Sequence, residues 1–140
     1  NDEISFGLAD LLPLADTVPI VVDLHHHWIH SRGEYLRPDD PRLDRVRASW
    51  RGVRPVAHVS VSREDLLGDW DPGLLPDFAA LAGRGLTARA LRGHSERMWN
   101  HALNALVAEH LAWADFEVEA KAKNLAVDDL ERDARPGRRP

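Results

Sequence analysis

The sequence predicts an α/β fold on a parallel sheet, about half of an eight-unit βα barrel, and three observations predict it. Short β-branched runs alternate with segments of helical spacing, each run leads into a polar connection, and acidic and histidine residues gather where the runs end. In parallel α/β folds, chemistry sits on the loops at the C-terminal ends of the strands. Three or four βα units suit a chain of 140 residues, 44% apolar, which can bury one core.

The elements follow in order. The chain opens at Asn1-Asp2 with no initiator Met and enters a helix-like segment, Ser5 to Leu14, as if it began partway through a fold. Phe6, Leu8, Leu11 and Leu12 give that segment its helical spacing. Pro13 to Pro19 turns the chain into a strand, Ile20 to Asp23, and residues His30 to Pro41 carry loop chemistry. Asp40 as N-cap and Pro41 in the first turn start a short helix bearing Leu43, Val46, Arg47 and Trp50, closed by Gly52. A strand over Val53 to Ser62 sets Val56, His58, Ser60 and Ser62 on one face. Arg63 to Gly93 is a long Gly, Pro and Asp-rich connection with one short helix, Asp77 to Gly83. Met98 to Leu111 repeats its apolar residues at three and four, a helix. Asp115 to Lys121 alternates as a strand, with Glu117, Glu119 and Lys121 on one face, and Leu125 to Asp133 is the last helix. Residues 1–131 form the partial barrel, and 132–140, rich in Pro, Gly and Arg, form a flexible tail.

Composition narrows the chemistry. No apolar run approaches the roughly 20 residues of a membrane span, and the N-terminus has no secretory pattern, so a cytoplasmic protein is expected. With no cysteine, a metal can be held only by His, Asp, Glu or a modified Lys. A net charge of −5 counts against a broad basic surface, although bound divalent cations would offset part of it.

The richest stretch is Pro19 to His30. Ile20, Val21 and Val22 suit a buried strand that delivers Asp23, His25, His26, His27 and His30 to its C-terminal end. Carboxylate with imidazole is a donor set for divalent Mn, Fe or Zn. If the strand continues, Asp23, His25 and His27 share one face and His26 takes the other. Further polar residues fall at later strand ends: His58, His94 in the next connection, and Glu119.

Four motifs in sequence carry a resemblance: D-L-H-H after the apolar strand, V-A-H-V-S, R-G-H-S-E-R-M and E-V-E-A-K-A-K-N. From Asn1 to about Glu131 the chain resembles the C-terminal half of the bacterial UV damage endonucleases, the UvsE or UVDE family. The resemblance implies a TIM barrel related to endonuclease IV and the xylose isomerases. It implies a cluster of divalent metals, Mn in particular, that cuts the phosphodiester 5′ to UV photoproducts in double-stranded DNA. By matched position it makes Asp23, His26, His58, His94 and Glu119 metal ligands, and Asn1-Asp2 resembles the tail of an E-N-D motif. Three departures stand out. The E-N-D glutamate would precede Asn1, together with a whole N-terminal half. The family's Lys two residues before the strand His is Val56, and Ser95-Glu96 follow His94 where the family has a nearby Asp.

Other residues have two readings each. Lys121 and Lys123 are phosphate contacts or solvated charges, and His25, His27 and His30 either orient a ligand carboxylate or lie on a surface loop. His101 and His110 belong to the surface or core edge of their helix. Trp50, Trp99 and Trp113 read as packing, whereas Trp28 and Trp70, in loops, are the candidates for DNA contact. The expected function is a metal-dependent DNA repair endonuclease, incomplete without an N-terminal half or self-association. Two alternatives use the same residues: a xylose-isomerase-like metalloenzyme acting on a small molecule, and an inactive truncated remnant with unpaired strand edges.

Overall fold

The structure, a computed structural model, describes residue 2 and residues 4–134. The expectations for Asn1 and for a tail over 135–140 therefore lie outside the described residues. Three strands, β1 (Val22–Asp23), β2 (Val56–Val59) and β3 (Asp115–Val118), form one open parallel sheet in the order β1-β2-β3. Val22 pairs with Ala57 and Asp23 with His58, while Val56 to Val59 pair in step with Asp115 to Val118. The α/β class and the parallel sheet are as the sequence predicts, with shorter strands.

Eight helices are described: α1 (Leu8–Leu11), α2 (Leu24–His30), α3 (Arg42–Ser49), α4 (Glu64–Leu67), α5 (Phe78–Gly83), α6 (Ala88–Leu91), α7 (His101–His110) and α8 (Asn124–Ala134). Their ends follow local chemistry. Asp77 caps α5, its Oδ1 accepting from Ala80 N–H at 2.9 Å, and Asn100 caps α7 through Leu103 N–H at 2.8 Å. Gly52, at φ 86°, takes the left-handed conformation that stops the turn after α3.

Two expectations need correction. The segment Ser5 to Leu14 is not one helix: α1 makes a single turn and passes into a 3-10 turn over Leu12–Leu14. Pro13 has no N–H for an α-helical bond, and Asp2 Oδ1 accepts from Ile4 and Ser5 N–H, which holds Phe6 outside the helix at 58% exposure. The histidine run after Asp23 is helix α2 instead of loop or strand, so the alternation of faces does not apply there. The last helix, expected over Leu125 to Asp133, spans Asn124–Ala134.

The core has two parts. Val22, Leu43, Val46, Val59, Met98, Leu106, Val107 and Leu130 pack between the sheet and α3, α7 and α8. Trp28, Ile29, Leu67, Leu81 and Leu91 pack α2 against α4, α5 and α6, so the long connection Arg63 to Gly93 is a folded cap. Burying side chains of this size contributes roughly 1.5–3 kcal/mol each, which anchors α2 and fixes where its histidines point.

Candidate metal centre

The strand ends form a polar rim, and register explains why. Asp23 lies beside His58 across β1 and β2, and His58 beside Glu117 across β2 and β3. The ladder continues past β3: Glu119 N–H donates to Val59 O at 2.8 Å, and the Ser60 hydroxyl donates to Glu119 O at 2.8 Å. With a two-residue repeat, Glu119 follows Glu117 on the same face, next to His58. Ala57 and Val59 on the other face are buried in the core.

Asp23 performs two tasks. Its Oδ1 accepts from His26 N–H at 2.8 Å and caps α2, while its Oδ2 lies 3.4 Å from His26 Nδ1 and 4.0 Å from His58 Nδ1. At 6% side-chain exposure it is the most buried of the five residues anticipated as ligands. The cap places His26 one turn into α2, facing the rim. His94 comes from the end of the folded cap and is pinned by an antiparallel bridge to Ser62, with Ser95 N–H donating to Val61 O at 2.9 Å.

Asp23, His26, His58, His94 and Glu119 are all brought together. His26, His94 and Glu119 each offer a donor atom, all within 4.8 Å of one another, and so do Asp23, His58 and Glu119. Glu119 joins the two groups: its Oε1 is 3.2 Å from His58 Nδ1 and its Oε2 3.8 Å from His94 Nε2. The donors are all oxygen and imidazole nitrogen, as borderline to hard divalent cations require. Two carboxylates against three imidazoles would leave a pair of divalent ions with net positive charge facing an anionic substrate.

The remaining histidines turn elsewhere. His25 is buried, with Nε2 3.1 Å from Leu91 O, and burial drives its pKa down from 6.5 to about 4. Its ring stands 5.5 Å from that of His94, so it packs behind the rim. His27 holds Glu34 at 3.1 Å, a carboxylate outside the rim, and His30 packs its ring on Gly7, where a Cβ would come within 2.7 Å. His101 pairs with Asp133 at the surface, but His110 is fully buried, with Nε2 3.1 Å from Leu36 O. Trp28, expected in a loop and open to DNA, is buried in α2 against Tyr35 and Phe78. Trp70 is half-buried, donates to Leu74 O at 3.1 Å and stacks under Arg84. Lys121 lines a polar groove of mixed charge with Arg63, Glu64, Asp65, Glu96 and Arg97.

Sequence reasoning missed one neighbour of the rim. Glu117 Oε2 lies 3.2 Å from His58 Nε2, on the side of the ring away from Asp23. Alternation placed Glu117 on the face of Glu119, but only the register between β2 and β3 sets it beside His58.

A parallel sheet whose C-terminal rim carries two overlapping His and carboxylate groups, each of which could hold a divalent cation, defines an α/β protein with a rim of convergent oxygen and nitrogen donors. The chain belongs to the UV-endonuclease UvdE family, whose family model matches residues 1–136. It is similar to a UV-damage endonuclease of Neurospora crassa, 34% identical over 70 residues, a match covering 43% of this chain and 11% of that protein. The chain thus spans about a tenth of the length of that relative. No solved structure matches. Among the described residues, no helix is long and apolar enough to cross a membrane.

Proposed function

We propose that the chain forms the C-terminal part of a (β/α)8 barrel that binds divalent metal, Mn by preference, and hydrolyses the phosphodiester 5′ to UV photoproducts in duplex DNA. The ligands are Asp23, His26, His58, His94 and Glu119. The observation that carries this reading is the sharing of Glu119 between the two donor groups, because bridged cations suit in-line displacement at a phosphodiester. Family membership supports the substrate. Bound cations supply Lewis-acid polarisation of the phosphodiester and a water of lowered pKa.

The chain's own residues do the rest. Asp23, locked as the cap of α2, holds His26 and faces His58. Glu119, tied at its backbone to Val59 and Ser60, would offer its carboxylate to both donor groups from a fixed strand end. Lys121, at the edge of the polar groove, supplies a cation to the DNA backbone. The sheet is open, with half-exposed Val18 and Val21 beside β1. Activity therefore requires further βα units, from the rest of the barrel or from a second copy.

The test is nicking of UV-irradiated duplex DNA. Mn-dependent cleavage next to the lesion is expected, lost in Asp23→Ala and His58→Ala. Equal cleavage of unirradiated DNA, or turnover of a small sugar that DNA does not affect, would sink the reading in favour of a small-molecule enzyme. The absence of a cooperative melt would favour an inactive remnant.

A further inference from the structure

We infer that Glu117 is a positioning residue for the metal centre: its carboxylate, at ion-pairing distance from His58 Nε2, takes the Nε2–H once a cation engages Nδ1 and so keeps the Nδ1 lone pair of His58 turned toward the cation. This rests on the metal reading above. A neutral imidazole carries one N–H and one lone pair, and a cation takes the lone pair, so the other nitrogen must find an acceptor. His58 offers its two nitrogens to different surroundings. Nδ1 faces Glu119 Oε1 at 3.2 Å and Asp23 Oδ2 at 4.0 Å, within one of the two convergent donor groups. Nε2 faces Glu117 Oε2 at 3.2 Å.

The reverse assignment, with the cation at Nε2 and Glu117 as its ligand, fails on donor count. Among the described residues no group of three donors includes Glu117, whose side chain is 69% exposed. Without Glu117, the carboxylates of Asp23 and Glu119 would draw the proton to Nδ1, the wrong tautomer for a ligand there. Glu117 is the only carboxylate among the described residues that pulls it the other way within ion-pairing distance of Nε2. The position is built in by the pleat: His58 and Glu117 are register partners, and Glu119 is one repeat further along the same face.

The experiment compares the full chain with Glu117→Ala and Glu117→Gln, titrating each with Mn and reading the His58 ring nitrogens by 15N NMR with Zn as a diamagnetic probe. Partners of this kind change metal affinity by roughly 10- to 100-fold, and an exposed one belongs near the lower end. Glu117→Ala should weaken Mn binding about 10-fold. Glu117→Gln, which keeps an acceptor oxygen, should restore most of it. In the Zn-loaded chain, His58 should be bound through Nδ1 and protonated at Nε2. Coordination through Nε2, unchanged affinity in Glu117→Ala, or a Gln variant as weak as the Ala variant would each overturn the inference, the last by showing simple charge attraction. If the wild-type chain binds no Mn, or binds it as well after Asp23→Ala, the metal reading itself falls, which is a separate result.

Discussion

Two acid-rich regions of this molecule use their carboxylates in opposite ways. Where α8 meets the segment leading into α7, Asp129 is buried and saturated: Arg97 Nε and Nη2 donate to its two oxygens at 2.5 and 2.6 Å, and Arg132 adds a bond at 2.7 Å. The Arg97 hydrogen bonds hold the Asp129 carboxyl below its ordinary pKa, against the cost of burial. At the rim, Asp23 and Glu119 face imidazoles instead. An arginine is permanently charged and fills a carboxylate's acceptor sites with a rigid fork, leaving no role for a metal. A histidine can be neutral and present a lone pair, so the same acids stay available to a cation. The partner, more than the acid, separates a structural cluster from a candidate metal site.

The sharpest way to break this comparison is to remove one acid from each cluster. Asp23→Ala should reduce Mn affinity by more than the roughly 100-fold that bounds outer-shell changes. Loss of the α2 cap should also lower stability by about 1 kcal/mol. Asp129→Ala should leave Mn affinity within about twofold, since a change that leaves the ligand shell intact has no direct route to the ion. Calorimetric titration with urea unfolding reads both effects. Equal loss of affinity in the two variants would show that the rim is no more a metal site than the α7–α8 junction.

Asp129→Asn tests the other side. It keeps shape and one acceptor but loses the charge that draws two partly exposed arginines. A cost of about 1 kcal/mol is expected, the upper range for pairs of this exposure, and it should shrink in high salt. A salt-independent loss would assign the effect to packing.

The two regions also differed in how far the sequence revealed them. Helix α7 was legible from its apolar repeat, and the strand V-A-H-V from its alternation, because each follows one period that packing reinforces. The short helix from Asp77 and Gly52 as terminator were legible from local chemistry. Helix α2 was not: a run of histidines has no hydrophobic period, and the strand before it suggested extension. Its signals were Asp23 as a capping residue and Leu24 with Trp28 at a spacing of four, and they predict both the helix and the burial of Trp28. The five rim residues were picked out by motif resemblance, and their convergence depends on parallel register and on the His94 bridge to Ser62, neither of which one sequence encodes locally. The same holds for Arg97 with Asp129, thirty-two residues apart and joined only by the docking of α8 on α7.

The smallest expected effect lies in the acid limb of stability, where the structural side of the molecule should dominate. Burial lowers the pKa of His110 below 6.5, partly offset by its bond to Leu36 O, so the ring stays neutral in the fold while the unfolded chain takes up a proton. Its contribution is therefore complete above about pH 6.5 and declines as the pH falls toward the folded value. Asp129 is also lowered, so its contribution is complete above its unfolded value of 3.8 and is lost only as the pH falls through the folded one. Metal-free chain should thus lose stability in two steps on acidification, a histidine step first and a carboxylate step below pH 4. Asp129→Asn should shrink the second step, leaving the part that belongs to Glu34 and Asp40, whose carboxyls the Arg42 hydrogen bonds also lower, and should leave the first step unchanged. An undiminished second step in Asp129→Asn would move the acid-sensitive carboxylate away from Asp129 and undo the division of labour between the two clusters.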